Sequence, residues 1–235
     1  CSNCHNPHAS RHAALLAEDE RKLCAGCHDD VGSAGYEEGA HAPVARGECD
    51  SCHDPHASAN RGQLHQPLIE QCTECHASVA DWLDRPVIHA PVADADCGTC
   101  HDPHGSTHPA LLAGETQEVC LGCHDPDAAM TAAHGSAAIA TSNCTACHDP
   151  HSSTRKGLLR ANEHAPFAAG DCATCHGDLT NRQDFTVASI RPLCERCHTS
   201  TRAFADFPYH HNLDTPESCV NCDNPNASNV EALLI

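Results

Sequence analysis

Cys49-Asp50-Ser51-Cys52-His53-Asp54-Pro55-His56-Ala57-Ser58, CDSCHDPHAS, is the stretch on which the reading of this chain turns. Close copies begin at Cys1 (CSNCHNPHAS), Cys97 (CGTCHDPHGS) and Cys144 (CTACHDPHSS). The shorter core Cys-x-x-Cys-His, without the Pro-His extension, recurs at Cys24, Cys72, Cys120, Cys172 and Cys194, giving nine copies in 235 residues. A tenth pair, Cys219 and Cys222, keeps the spacing but is followed by Asp223. These ten pairs use all 20 cysteines.

CxxC pairs also build zinc ribbons, redox dithiols and disulfide frameworks. A zinc ribbon has no need of a histidine directly after the second cysteine, and redox dithiols do not come ten in tandem. Histidine is 22 of 235 residues, so its presence after nine of ten pairs is not chance. The pattern reads as c-type haem attachment, in which two thioether bonds hold the porphyrin and the adjacent histidine faces its iron. The attachment cysteines are then Cys1 and Cys4, Cys24 and Cys27, Cys49 and Cys52, Cys72 and Cys75, Cys97 and Cys100, Cys120 and Cys123, Cys144 and Cys147, Cys172 and Cys175, and Cys194 and Cys197. The motif ligands are His5, His28, His53, His76, His101, His124, His148, His176 and His198. Nine haems c are expected, ten if Cys219 and Cys222 still carry one; without its histidine that pair is expected to form a disulfide or stay reduced.

The composition suits a chain whose core is cofactor. Aromatic residues are 3% of the total, with one tryptophan, so few large side chains are present to fill an interior. Without haem the apolar residues are too few to offset chain entropy. The 15 prolines and 14 glycines between motifs predict loops and short helices. A formal charge of −19, with Lys22 and Lys156 the only lysines, excludes nucleic-acid binding and would attract a basic partner. No apolar run approaches the roughly 18 residues of a membrane-spanning helix, so membrane association is expected only through a partner. Haem c attachment occurs outside the bacterial cytoplasm, which predicts a periplasmic or cell-surface location. Cys1 belongs to a motif and does not read as a lipidated terminus; a start inside a motif predicts that earlier residues are missing.

A repeat of about 48 residues organises the chain. A unit opens on the CxxCHxPHxS form and passes a segment with paired leucines such as Leu15-Leu16 or Leu111-Leu112. From Cys1, Cys49 and Cys97 a second CxxCH follows 23 residues on, at Cys24, Cys72 and Cys120, whereas from Cys144 the next, Cys172, comes after 28. The expected boundaries are two-haem repeats at 1–48, 49–96 and 97–143, an irregular three-haem segment at 144–218, and a degenerate repeat without haem at 219–235. In the last, CVNCDNPNAS, both histidines of the first-half motif are replaced, by Asp223 and Asn226.

Second ligands can be counted. Four follow a proline, His8, His56, His104 and His151, and five precede a cysteine pair by eight to ten residues: His41, His89, His134, His164 and His211. His210 is an alternative to His211. His12, His65 and His108 hold no position common to all repeats and are expected in loop roles. A histidine three residues after the motif histidine is too close to reach the far face of the same haem, and the intervening proline fixes the backbone. It must therefore serve a neighbour; the scheme considered gives His8 to the iron of His28 and His41 to that of His5. Met130, the single methionine, is expected in an ordinary loop role. Bis-histidine ligation throughout implies low potentials and leaves no iron open to substrate.

The CxxCHxPHxS form paired with another CxxCH 23 residues later resembles multihaem c-type cytochromes with doubled CxxCH motifs, a family that includes decahaem proteins threaded through outer-membrane porins and cytochromes that polymerise as filaments. The resemblance implies a mostly irregular fold with short α-helices, an extended row of haems forming the core, and respiratory electron transfer to or from the cell exterior. The implied partners are other redox proteins, further copies of this chain or an outer-membrane porin. No enzymatic activity is expected on this reading. A competing class is a multihaem reductase for nitrite, hydroxylamine or a sulfur oxyanion, which needs one open iron; related nitrite reductases mark it with CxxCK, a motif not found here.

Overall fold

The computed structural model describes residues 1–32, 39–134, 143–177, 189–209, 211, 215 and 219–235. The chain divides into two compact units, Cys1–Asp84 with Ala90–Glu115, and Arg85–His89 with Thr116–Ile235. Among the described residues the α-helices run four to six residues and the strands two, as in helix Glu20–Ala25 and the pairing of Val87–Ile88 with Ser152–Ser153. The expectation of short helices in an irregular chain holds. Apolar burial is correspondingly slight: among the described residues, Val79 and Ala227 are the buried hydrophobic side chains, at 9% and 0% exposure.

What repeats is a loop. In all ten CxxC motifs the fifth residue donates its backbone N–H to the carbonyl of the first cysteine, from His5 to Cys1 at 2.8 Å through to Asp223 to Cys219 at 3.0 Å. This closed loop gathers both thiols and the following side chain within one turn. In the CxxCHxPHxS copies the chain then doubles back. His5 bridges Leu16, His53 bridges Leu64, His101 bridges Leu112, His148 bridges Leu159, and Asp223 bridges Leu234. The serine ending each motif (Ser10, Ser58, Ser106, Ser153, Ser228) donates its hydroxyl to that leucine's carbonyl.

Reversal comes from two consecutive left-handed residues, the geometry of a type I′ turn. The first has φ of 50° at Ala14, 68° at Gly62, 56° at Ala110, 69° at Gly157 and 57° at Ala232. The second is Leu15, Gln63, Leu111, Leu158 or Leu233. The paired leucines of the sequence thus split their duties: one sits in the turn, the next bridges back to the motif.

The second-half motifs begin on short helices instead. Glu20–Ala25, Leu68–Thr73, Thr116–Leu121 and Ile190–Cys194 carry Cys24, Cys72, Cys120 and Cys194 near their C-terminal ends. A third element is the sequence His-Ala-Pro-Val/Phe-Ala. It forms helices Ala42–Arg46, Ala90–Ala93 and Ala165–Ala168, each directly after a histidine and with proline at a position where its missing N–H costs nothing. Those histidines zip onto a first-half copy: His41 N–H donates to His104 O, His89 to His151 O and His164 to Asn226 O, all at 3.0 Å. No helix among the described residues is long and apolar enough to cross a membrane.

Candidate functional site

The hairpins place a carbonyl under the motif imidazole. His5 Nδ1–H donates to Ala14 O at 2.9 Å, His53 to Gly62 O at 2.7 Å, His101 to Ala110 O at 2.9 Å and His148 to Gly157 O at 2.7 Å. Each acceptor is the first left-handed residue of the turn. A carbonyl can only accept, so Nδ1 carries the proton and the lone pair lies on Nε2, the form that binds a metal. Burial pushes His148 and His41 below the ordinary histidine value, which also favours the neutral ring.

Among the described residues, six imidazole pairs face one another within the units, three in each. Ring centroids lie 5.9 Å apart for His5–His56, 6.0 Å for His41–His76 and 6.0 Å for His53–His104. The second unit holds His89–His124 at 5.9 Å, His134–His148 at 6.0 Å and His164–His198 at 5.9 Å. Five pairs have ring planes within 14–21° of parallel, whereas His134–His148 is tilted by 53°. Direct ring stacking would bring the planes much closer than this. Two metal–nitrogen bonds of about 2 Å with two ring radii of about 1 Å give a separation of about 6 Å, so the gap fits one ligated metal ion. Two imidazoles alone make a poor protein metal site, and among the described residues no three His, Cys, Asp or Glu side chains gather as one. They suit an iron whose four in-plane ligands come from a porphyrin, and the thiols of the adjoining CxxC loop suit its covalent attachment.

The pairing differs from the scheme considered above. His41 faces His76 and His5 faces His56, so His41 does not return to His5. The Pro-His residue faces the motif histidine one repeat earlier, and the His-Ala-Pro histidine faces the second motif 34 or 35 residues later. The reason lies in the backbone: the zipper from His41 to His104 holds those two rings beside each other, each against its own partner.

His134 follows another rule. It lacks the Ala-Pro sequel, caps the C-terminal end of helix Ala128–Ala133, and donates Nδ1–H to Met130 O at 2.8 Å. Met130, expected in a loop, therefore lies in a helix and orients this imidazole through its carbonyl. His134 faces a motif histidine 14 residues on. The sequence signal that separates it from His41, His89 and His164 is the missing Ala-Pro. Outside the six pairs, His8, His28 and His211 are exposed, His101 and His151 belong to different units, and the His176 N–H closes its own Cys172 loop at 2.9 Å. His210 lies outside the described residues.

The three histidines expected in loop roles have local contacts. His65 Nε2 contacts Asp50 O at 2.7 Å, His12 N–H donates to Ser10 Oγ at 2.9 Å, and His108 Nδ1 lies 3.6 Å from Glu115. Neighbouring cysteine loops also touch. Cys24 interacts with Cys49, Cys72 with Cys97, and Cys194 with Cys219, so each pair brings two CxxC loops together. Burial raises the Cys24 and Cys194 thiols, and that of Cys49 to about 11.

No curated protein matches the chain. The family model described as the doubled CXXCH motif matches it five times, over residues 1–33, 41–81, 89–129, 136–163 and 164–203. Spread over most of the chain, and joined to cysteine loops and facing imidazoles suited to covalently bound haem c, these matches place the chain in the doubled CXXCH family: it is a multihaem c-type cytochrome.

Proposed function

We propose that this chain conducts electrons along nine covalently bound, bis-histidine haems c, outside the cytoplasm, as a filament subunit or as a conduit or carrier in respiratory electron transport. The observation that carries the reading is the set of facing imidazoles. Where a second histidine faces the motif histidine, as in the six pairs above, the two imidazoles would hold a haem iron between them, which would suit outer-sphere electron transfer and leave that iron no place for substrate. Bound haem supplies the one-electron Fe(III)/Fe(II) couple. The chain's own residues attach it, choose its axial ligands and set distances between neighbours.

Those distances are short by construction. His53 and His56 lie three residues apart yet face His104 and His5, which ties two sites to one turn. The His41–His104 hydrogen bond ties a third, that of His76, to the same group. In the second unit, His148 interacts electrostatically with both His134 and His124. The haem core belongs to the same reading, since side chains leave little apolar interior of their own. The site residues are the nine CxxCH motifs and the nine second histidines named from the sequence, with Cys219 and Cys222 left without haem. Partners would be other redox proteins, further copies of this chain or an outer-membrane porin.

The test is a pyridine haemochrome count with intact mass, followed by EPR of the oxidised protein. Nine haems, low-spin throughout, are expected. A substantial high-spin signal that shifts on adding nitrite would replace conduction with a reductase. Cryo-electron microscopy of the native material separates the assemblies: isolated monomers would end the filament reading.

A further inference from the structure

The residue between each motif position and the following proline is Asn6, Asp54, Asp102, Asp149 or Asn224 in the five first-half copies. In every copy its side-chain oxygen accepts the backbone N–H two residues on. The donors are His8 at 3.2 Å, His56 at 2.9 Å, His104 at 2.9 Å, His151 at 3.1 Å and Asn226 at 3.1 Å. This is an Asx turn, and it presents the residue after proline. The turn needs an oxygen, which asparagine supplies as well as aspartate. It does not account for a negative charge.

The charge coincides with a ring. His56, His104 and His151 place Nδ1 3.8, 3.8 and 3.7 Å from the same oxygens of Asp54, Asp102 and Asp149. Where the residue after proline is Asn226, with no imidazole, the position is the neutral Asn224. Asn6 beside His8 is the chain's own example of an imidazole with a neutral neighbour.

We propose that Asp54, Asp102 and Asp149 are potential-setting residues, each holding a negative charge at the Nδ1 side of a second axial imidazole. The proposal rests on the bis-histidine reading above. A carboxylate there makes Nε2 a stronger donor, and its charge stabilises ferric over ferrous iron. Neutralising it therefore raises the potential of the iron that histidine serves. The sites are graded by their surroundings. His56 and Asp54 are 76% and 37% exposed, so water screens them more than His104 and Asp102 at 37% and 36%. Asp149, 10% exposed, is paired with Arg85 at 3.0 Å and accepts from Asn229 at 2.7 Å. Arg85 offsets part of its charge, so removing the arginine acts in the opposite direction to removing an aspartate.

The experiment is a redox titration of the full haem-loaded chain, with individual haems followed by NMR of their methyl groups. Variants are D54N, D102N and R85Q, with E18Q as a control that removes one exposed charge elsewhere. Asparagine keeps the Asx turn, so the aspartate variants separate charge from structure. For D102N we expect the ferric-to-ferrous ratio of the His53–His104 haem at fixed potential to fall two- to tenfold, tenfold being 59 mV for one electron. The D54N variant shifts the His5–His56 haem the same way by less, and R85Q lowers one potential. Should D102N lose its haem, the exposed D54N carries the test. Shifts in D54N and D102N no larger than in E18Q overturn the proposal. The wild-type haem count and low-spin spectra test the underlying reading separately: nine low-spin haems with unmoved potentials would end this proposal and leave that reading standing.

Discussion

In the copy that begins at Cys144, His148 bridges Leu159, the Asp149 N–H meets Leu158 O at 2.7 Å and the Arg160 N–H meets Cys147 O at 2.9 Å. In the copy that begins at Cys219, Asp223 bridges Leu234, the Asn224 N–H meets Leu233 O at 2.7 Å and the Ile235 N–H meets Cys222 O at 2.9 Å. The two backbones carry the same bonds, yet one copy has both histidines and the other has neither. The comparison separates two things the motif seems to fuse. The hairpin is specified by the cysteine loop, the Asx turn, the closing serine and the left-handed pair; the imidazoles are passengers on it. It also gives the second copy a purpose apart from iron. Asn229 donates to Asp149, Asn224 Nδ2 reaches Ala146 O at 3.3 Å, and Ala227–Ser228 pairs with Asn162–Glu163. Copy five braces copy four.

If histidine alone separates a haem-bearing copy from a bare one, exchanging it should move a whole haem. The H148D variant should hold eight haems where the wild type holds nine, and D223H should approach ten, both read by intact mass. Loss of a haem from H148D without unfolding of the hairpin, followed by hydrogen exchange at the Asp149 and Arg160 amides that close it, would sharpen the separation. Nine haems retained in H148D would break it.

The missing imidazole at Asn226 bears on His148 as well. The earlier motif histidines His5 and His53 face the Pro-His residue of the next copy, and the copy after His148 has Asn226 at that place. His134 faces His148 instead, at 53° where the other pairs lie at 14–21°. Crossed imidazole planes leave the iron d orbitals closer in energy, so the wild type should show one strongly anisotropic low-spin EPR signal apart from the rest. In H134A that signal should vanish and a high-spin signal of about one haem in nine should replace it. Unchanged spectra would mean that another residue serves this iron.

Much of this was legible in the sequence, because spacing and residue identity carry it. The cysteine pairs, the 48-residue period and the short irregular elements follow from CxxCH and scattered proline and glycine. Which histidines face each other did not follow. A His41–His76 pair depends on a zipper between residues 39–41 and 104–106, a contact no local propensity encodes. The turn under each motif imidazole was half visible: Gly62 and Gly157 signal left-handed backbone, but Ala14, Ala110 and Ala232 adopt it without that sign.

If the hairpin is one scaffold in both copies, equal damage should cost the same in each. Ser153 and Ser228 are 2% and 5% exposed, and each hydroxyl donates to a leucine carbonyl while accepting a backbone N–H at 3.0 Å, from Arg155 and Val230. Replacing either with alanine removes two part-buried hydrogen bonds, at about 1 kcal/mol each. Both S153A and S228A should lower the unfolding temperature by similar amounts with the haem count intact. A cost confined to S153A would show that copy five is held by its neighbour and not by its own bonds.

The smallest difference between the copies is one methyl group in the turn. Gly157 has φ of 69° where Ala232 has 57° at the equivalent place, and a Cβ built on Gly157 meets nothing within 4 Å. The G157A substitution therefore adds no clash, only the intrinsic cost of a left-handed alanine, about 1 kcal/mol. The Gly157 carbonyl would still accept from His148 Nδ1, because Ala14 and Ala110 do the same for His5 and His101. A small loss of thermal stability with unchanged haem count and EPR is expected. A lost or altered haem would mean that the turn fixes His148 more tightly than its counterparts fix theirs, and that the scaffold and the ligand are not separable in copy four.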